Sequence, residues 1–218
     1  MSKNVAVILS GCGVFDGAEI HESVLTLLAL DQAGATVKIF AADQEQTKVV
    51  NHLTNEESDE KRNVLVESAR IARGDIAALK ELDVSIFDAV ILPGGFGAAL
   101  NSCDFAIKGP ECSIHPEIER TLQEAHAADK VIGAMCIAPT TIAKALGSKA
   151  PKVTIGDATD VAAGLEALGA KHHDTIAEEI IIDEENKVVT NAAYMFDVKI
   201  ASLFVGINKL VKKVLEMA

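Results

Sequence analysis

Short runs of apolar, largely β-branched residues alternate along the chain with longer stretches whose apolar positions recur every three to four residues. The short runs cover residues 5–9, 36–41, 89–92, 131–135 and 152–155. Two more, 180–182 and 187–190, flank Asp183-Glu184-Glu185-Asn186 and read as a hairpin. The early runs are apolar on both faces, as strands covered on both sides must be. Helical periodicity occupies 18–33, 64–73, 116–128, 139–146, 161–168 and 197–216, with Gly34 and Gly147 placed as C-terminal stops. Such alternation predicts an α/β fold: a three-layer, doubly wound, mostly parallel sheet with helices on both faces.

Two stretches break the rhythm. Residues 43–62 are strongly polar and read as an insertion. Residues 97–115 show little periodicity and follow Pro93-Gly94-Gly95 directly, where a long loop at a strand's carboxyl end would shape a site. We expect a single domain over residues 1–218.

Composition narrows the partners. With 49% hydrophobic and 24% charged residues the chain can bury a large core. A net charge of −12 repels nucleic acid and anionic lipid, and the absence of Trp with a single Tyr leaves little to stack on bases. The apolar run after Met1-Ser2-Lys3-Asn4 is too short for a signal peptide or a membrane span, so a cytoplasmic protein is expected. Cys12, Cys103, Cys112 and Cys136 have no metal or framework spacing, which predicts reduced thiols and no structural zinc.

Cys136 carries the strongest chemical signal. The run 131–135 ends there, and Pro139 opens a helix within about two residues. So sharp a turn needs small neighbours, which Ala134 and Ala138 are. The thiol then sits at a strand's carboxyl end and a helix N-terminus, where the dipole is expected to lower its pKa. This is a nucleophile elbow with Cys in place of Ser; the plainer alternative is a small buried hydrophobe. Glu19 and Glu22, three apart, share a face of the first helix and are candidate proton-exchanging partners, although acids in a first helical turn also simply complement the dipole. In Pro93-Gly94-Gly95-Phe96-Gly97 the backbone N–H groups could hold an oxyanion. Neither this loop nor Gly11-Cys12-Gly13 completes a dinucleotide fingerprint.

Several segments together resemble the ThiJ/PfpI superfamily, with its flavodoxin-like, class I glutamine amidotransferase-like fold. The match is to its ElbB group of glyoxalase-like, isoprenoid-biosynthesis-associated proteins. The residues carrying it are Val7-Ile8-Leu9-Ser10-Gly11-Cys12-Gly13, Asp16-Gly17-Ala18-Glu19-Ile20-His21-Glu22, Asn51-His52-Leu53-Thr54, Pro93-Gly94-Gly95-Phe96-Gly97-Ala98-Ala99, Met135-Cys136-Ile137-Ala138-Pro139 and Ala193-Tyr194-Met195. The resemblance implies Cys136 as nucleophile, Glu22 as the carboxylate on the thiol with Glu19 as second choice, and Gly95 and Ile137 as oxyanion donors beside Gly94. Cys12 would line the pocket or pair with Cys136 on oxidation.

The usual imidazole is missing. Ile137 and Gly156 stand where superfamily members carry His, and no His follows His173. The substitutes are His21, His115, His172 and His173, each more often a surface or structural residue. The pair His172-His173 diverges on a strand and is not expected to bind a metal. The resemblance implies slow, cofactor-free and metal-free conversion of glyoxal, a small dicarbonyl, to glycolate, by a protein that commonly pairs as a homodimer. A redox-responsive protein without catalysis and an amidotransferase-like subunit linked to isoprenoid biosynthesis are the alternatives.

Overall fold

The computed structural model describes residues 2–218. Its strands are β1 (Asn4–Leu9), β2 (Thr36–Ala41), β3 (Val49–Asn51), β4 (Glu56–Ser58), β5 (Ala77–Ala78), β6 (Ala89–Leu92), β7 (Val131–Met135), β8 (Lys152–Val153), β9 (Lys171–His172), β10 (Ile180–Asp183) and β11 (Val188–Asn191). The helices are α1 (Ile20–Gln32), α2 (Val64–Ile71), α3 (Phe105–Lys108), α4 (Pro116–Ala127), α5 (Pro139–Leu146), α6 (Thr159–Ala167) and α7 (Ile200–Met217).

Seven strands form the central sheet in the order β10-β11-β7-β6-β1-β2-β5. All its pairings are parallel except the β10–β11 hairpin. Successive β1 residues face opposite layers: Ala6 and Ile8 pack with the α4–α5 side, Val5, Val7 and Leu9 with the α1–α7 side. Burial on both faces is why these runs carry no polar alternation. The strand order reverses between β1 and β6, so the loops after β1, β6, β7 and β11 converge on one edge.

One expectation changes and two gain detail. The run 152–155 does not join the central sheet: β8 pairs with β9 in a separate two-stranded sheet, and Thr154 N–H donates instead to Thr190 Oγ1 at 2.9 Å. The polar stretch 43–62, read as an insertion, carries the β3–β4 hairpin in its middle. Gly147 does stand where α5 stops, as its C-cap, though without a left-handed conformation. Its φ is −55° and the chain continues as a 3-10 turn, with Ala150 taking the positive φ. Glycine is needed at 147 because a Cβ would collide with the Leu168 carbonyl. Gly34, by contrast, ends α1 with a φ of +72°, as its position predicts.

Candidate active site

The β7–α5 turn is built as an elbow. Cys136 adopts φ +56°, a left-handed conformation that costs a residue bearing a Cβ of order 1–3 kcal/mol and persists only where its surroundings enforce it. Those surroundings are identifiable. Cys136 N–H donates to Asn191 O at 3.0 Å, which ties the elbow to the end of β11. The Asn191 side chain is itself clamped: its Nδ2 donates to Ala177 O and Glu179 O, and its Oδ1 accepts the Ala193 N–H. Pro139 at the first turn of α5 needs no backbone donor bond.

Glu22 lies fully buried in the first turn of α1, close enough to Cys136 for its charge to act on the thiol. Its Oε2 accepts the Gly94 N–H at 2.9 Å and its Oε1 accepts the Tyr194 N–H at 3.2 Å. One carboxyl therefore joins the loops after β6 and β11 to the elbow. Gly94 has no room for a side chain: a Cβ there would strike the Cys136 Cβ and lie 2.7 Å from Glu22 Oε2. Gly95, at φ +91°, and Ile137 lie near enough for their backbone N–H groups to act on the sulfur.

Glu19 has a different place. It is the N-cap of α1, its Oε2 accepting the Glu22 N–H at 2.7 Å, and it acts on the centre through its charge. Cys12 is half-buried among Glu67, Arg70, Asp16 and Arg62.

The electrostatics correct one expectation. The Cys136 thiol is pushed well above its ordinary pKa, first by burial and then by the Glu22 carboxylate, against the pull of the Gly95 and Ile137 N–H groups. Cys136 is only 7% exposed, so the lost hydration outweighs the helix dipole. Burial, reinforced by the Glu19 charge, also raises Glu22 to about 8, although the Tyr194 and Gly94 N–H groups and the thiol favour its charged form. The pair titrates as a unit: the carboxyl ionises first and the thiol much later, so near neutral pH it holds both protons most of the time.

The histidines take other roles. His115 caps α4, and His172 Nε2 accepts the Ile155 N–H at 3.3 Å. His173 is exposed. His21 is exposed and reaches the site at one remove, its Nδ1 standing 3.0 Å from the Tyr194 hydroxyl, whose backbone N–H serves Glu22. Among the described residues no three His, Cys, Asp or Glu side chains converge to hold a metal ion. Sequence reasoning missed Asn191 as the elbow's anchor and the Tyr194 N–H as the second donor to Glu22. The signal was the segment Ala193-Tyr194-Met195 just past a strand end, where Ala193 has φ +46°.

Comparisons with known proteins agree with this architecture. Residues 6–202 match the model of the DJ-1/PfpI family. The chain is 46% identical to "ES1 protein homolog, mitochondrial" of Rattus norvegicus, covering 98% of this chain and 83% of that protein. It is 45% identical to the Homo sapiens "Glutamine amidotransferase-like class 1 domain-containing protein 3, mitochondrial", covering 99% and 84%. The crystal structure of an Ehrlichia chaffeensis isoprenoid biosynthesis protein with amidotransferase-like domain superposes with a TM-score of 0.92 at 36% identity, covering 99% of this chain and all of that one. The two curated relatives are named mitochondrial, which overturns the cytoplasmic expectation drawn from the short apolar run at residues 5–9. That run bears on export and membrane insertion and carries no information about an organelle. With the elbow, the buried carboxyl and the glycine loop in place along nearly its whole length, the chain belongs to the DJ-1/PfpI family.

Proposed function

We propose that the Cys136–Glu22 pair is a cofactor-free catalytic centre that converts glyoxal and similar small dicarbonyls to hydroxy acids. The observation that carries this reading is the fully buried Glu22 carboxyl, raised to about 8, set against the thiol of Cys136 on its left-handed elbow, where the Gly95 and Ile137 N–H groups also act on the sulfur. A carboxyl poised there both accepts and returns protons near neutral pH.

The steps balance within one substrate and one water. Ionised Glu22 takes the thiol proton as the sulfur attacks one aldehyde carbon. The new oxyanion is held by the Gly95 and Ile137 N–H groups and is protonated to a hemithioacetal. Glu22 then removes the C–H proton of that carbon and the electron pair passes through an enediol. Return of a proton to the second carbon leaves a thioester. The first carbon has been oxidised and the second reduced, so no outside electron carrier enters. Water cleaves the thioester, releasing glycolate and restoring the thiol. Near neutral pH Glu22 is mostly protonated, and no imidazole is among the groups acting on the sulfur, so turnover is slow. Glyoxal mixed with the protein should appear as one added glyoxal unit on the Cys136 peptide, with glycolate following. Glycolate formed with the Cys136 peptide never modified would refute the scheme.

One observation favours a second reading. The ring of N–H groups that holds an oxyanion would equally hold the oxygens of an oxidised sulfur, and the missing imidazole weakens catalysis more than it weakens oxidation. Mild peroxide should then add oxygen at Cys136 ahead of the other three thiols, by intact mass and peptide mapping. Indiscriminate oxidation would remove this alternative.

Pairing of two copies belongs to the same reading. Ile20, Val24 and Leu28 stand exposed at four-residue spacing along α1, with Ile200 and Val205 exposed on the neighbouring α7. Val24→Asp should lower the mass measured by light scattering to that of one chain. A native protein already monomeric at working concentration would dismiss the dimer.

A further inference from the structure

The turn after β11 is gripped twice by the first turn of α1. Glu22 Oε1 accepts the Tyr194 N–H at 3.2 Å from the buried side. On the outer side His21, the exposed residue before Glu22, hydrogen-bonds the Tyr194 hydroxyl. His21 Nδ1 and Tyr194 Oη are 3.0 Å apart, and the ring centroids 5.9 Å. Two consecutive helix residues thus hold one residue of the turn, by its backbone and by the tip of its side chain.

The turn needs holding. Ala193 is buried at φ +46°, a conformation that persists for a residue with a Cβ only where its surroundings enforce it. Asn191 Oδ1 fixes the near end by accepting the Ala193 N–H at 3.0 Å. His21 fixes the far end through the half-buried Tyr194 side chain. The hydroxyl keeps its proton while Glu22 titrates, because burial and then the Glu19 and Glu22 charges hold it above its ordinary pKa. It donates to a bare imidazole nitrogen or accepts from a protonated one, so the tie survives either state of the ring.

We propose that His21 is a positioning residue for the Cys136–Glu22 pair: its hydrogen bond to the Tyr194 hydroxyl holds the turn so that the Tyr194 N–H stays on the Glu22 carboxyl. An imidazole thereby serves the centre through the acid, with no contact to the sulfur. The Tyr194 N–H favours the charged form of Glu22, against burial and the Glu19 charge; the other titratable group acting on this carboxyl is the Cys136 thiol. Loosening the turn therefore leaves Glu22 protonated to higher pH. The assignment rests on the pair acting together and is independent of which substrate meets the sulfur.

The test follows the pH dependence of Cys136 alkylation by iodoacetamide, read by peptide mapping. His21→Phe keeps a ring beside Tyr194 and loses the bond, and Tyr194→Phe loses it from the other side. Each should move the midpoint up by about half a pH unit. The double variant should move it no further, since one bond is lost in all three. His21→Asn, which keeps a polar atom near the place of Nδ1, should restore most of the native profile. A purely structural role would lower the melting temperature and leave the midpoint in place. Unmoved midpoints in the single variants, additive shifts in the double variant, or a His21→Asn profile displaced as far as that of His21→Phe would each overturn the proposal. Should the midpoints move as expected while glyoxal is not consumed, the positioning role stands and the dicarbonyl chemistry falls.

Discussion

Glu22 and Cys136 act on each other in a site so dry that both are held above their ordinary pKa values. They come from opposite halves of the chain, and each is fixed by backbone rather than by side chains: Glu22 by the Gly94 and Tyr194 N–H groups, Cys136 by the Asn191 carbonyl. Because the carboxyl ionises before the thiol, Glu22 acts as the proton carrier and Cys136 becomes a nucleophile only as its proton leaves.

A raised carboxyl pKa has a consequence for stability. Glu22 moves from 4.5 to about 8 on folding, so the folded protein binds its proton more tightly than the unfolded chain. This contribution is fully present below about pH 4.5, drains away as pH rises and is gone once the carboxyl ionises near pH 8. It amounts to a few kcal/mol at most. Glu22→Gln removes the titration. It also leaves one of the two backbone donors facing an amide NH2, at a cost of about 1–3 kcal/mol. Thermal melts between pH 5 and 8 should therefore show a variant that starts lower and loses less with rising pH than the native protein. Parallel curves would mean that Glu22 is not held in its protonated form.

Glu19 acts at a distance that a single atom exchange can probe. Glu19→Gln keeps a side-chain oxygen to cap α1 through the Glu22 N–H, and so should cost well under the roughly 1 kcal/mol of a lost cap. It removes the negative charge that helps raise Glu22. The pH dependence of Cys136 alkylation should shift to lower pH in this variant, with the melting temperature nearly unchanged. An unmoved profile would show that burial alone sets the Glu22 pKa.

Gly94 should be intolerant of a single methyl group. In Gly94→Ala the new Cβ meets the Cys136 Cβ and lies 2.7 Å from the Glu22 carboxyl and 2.8 Å from the Met135 carbonyl oxygen. The expected outcome is a loss of about 1–3 kcal/mol in denaturant melts, with Cys136 reactivity disturbed more than stability. Wild-type reactivity would contradict the close approach.

How much of this was legible follows from how local each feature is. The elbow could be read because its requirements lie within a few residues: an apolar run, Ala134 and Ala138 around Cys136, and Pro139. The parallel sheet could be read because burial on both faces leaves an apolar signature in each strand. Glu22 is distinguished from Glu19 only by what α1 packs against, and periodicity places both on one face, so resemblance to a family had to choose between them. Asn191 and Tyr194 enter the site because β11 lies beside β7, a pairing no local pattern encodes. Residues 152–155 carry a strand signature yet leave the central sheet, since β11 takes the place beside β7 and β10 forms the edge. The thiol pKa was misjudged because burial depends on the whole fold, whereas the helix dipole is visible in the sequence.

The account is tested most directly by following glyoxal and glycolate with native protein, Cys136→Ala and Glu22→Gln side by side. It predicts glycolate from the native protein, none above background from Cys136→Ala, and a rate lower by about 10²-fold or more in Glu22→Gln. Equal glycolate formation by native protein and Cys136→Ala would contradict it.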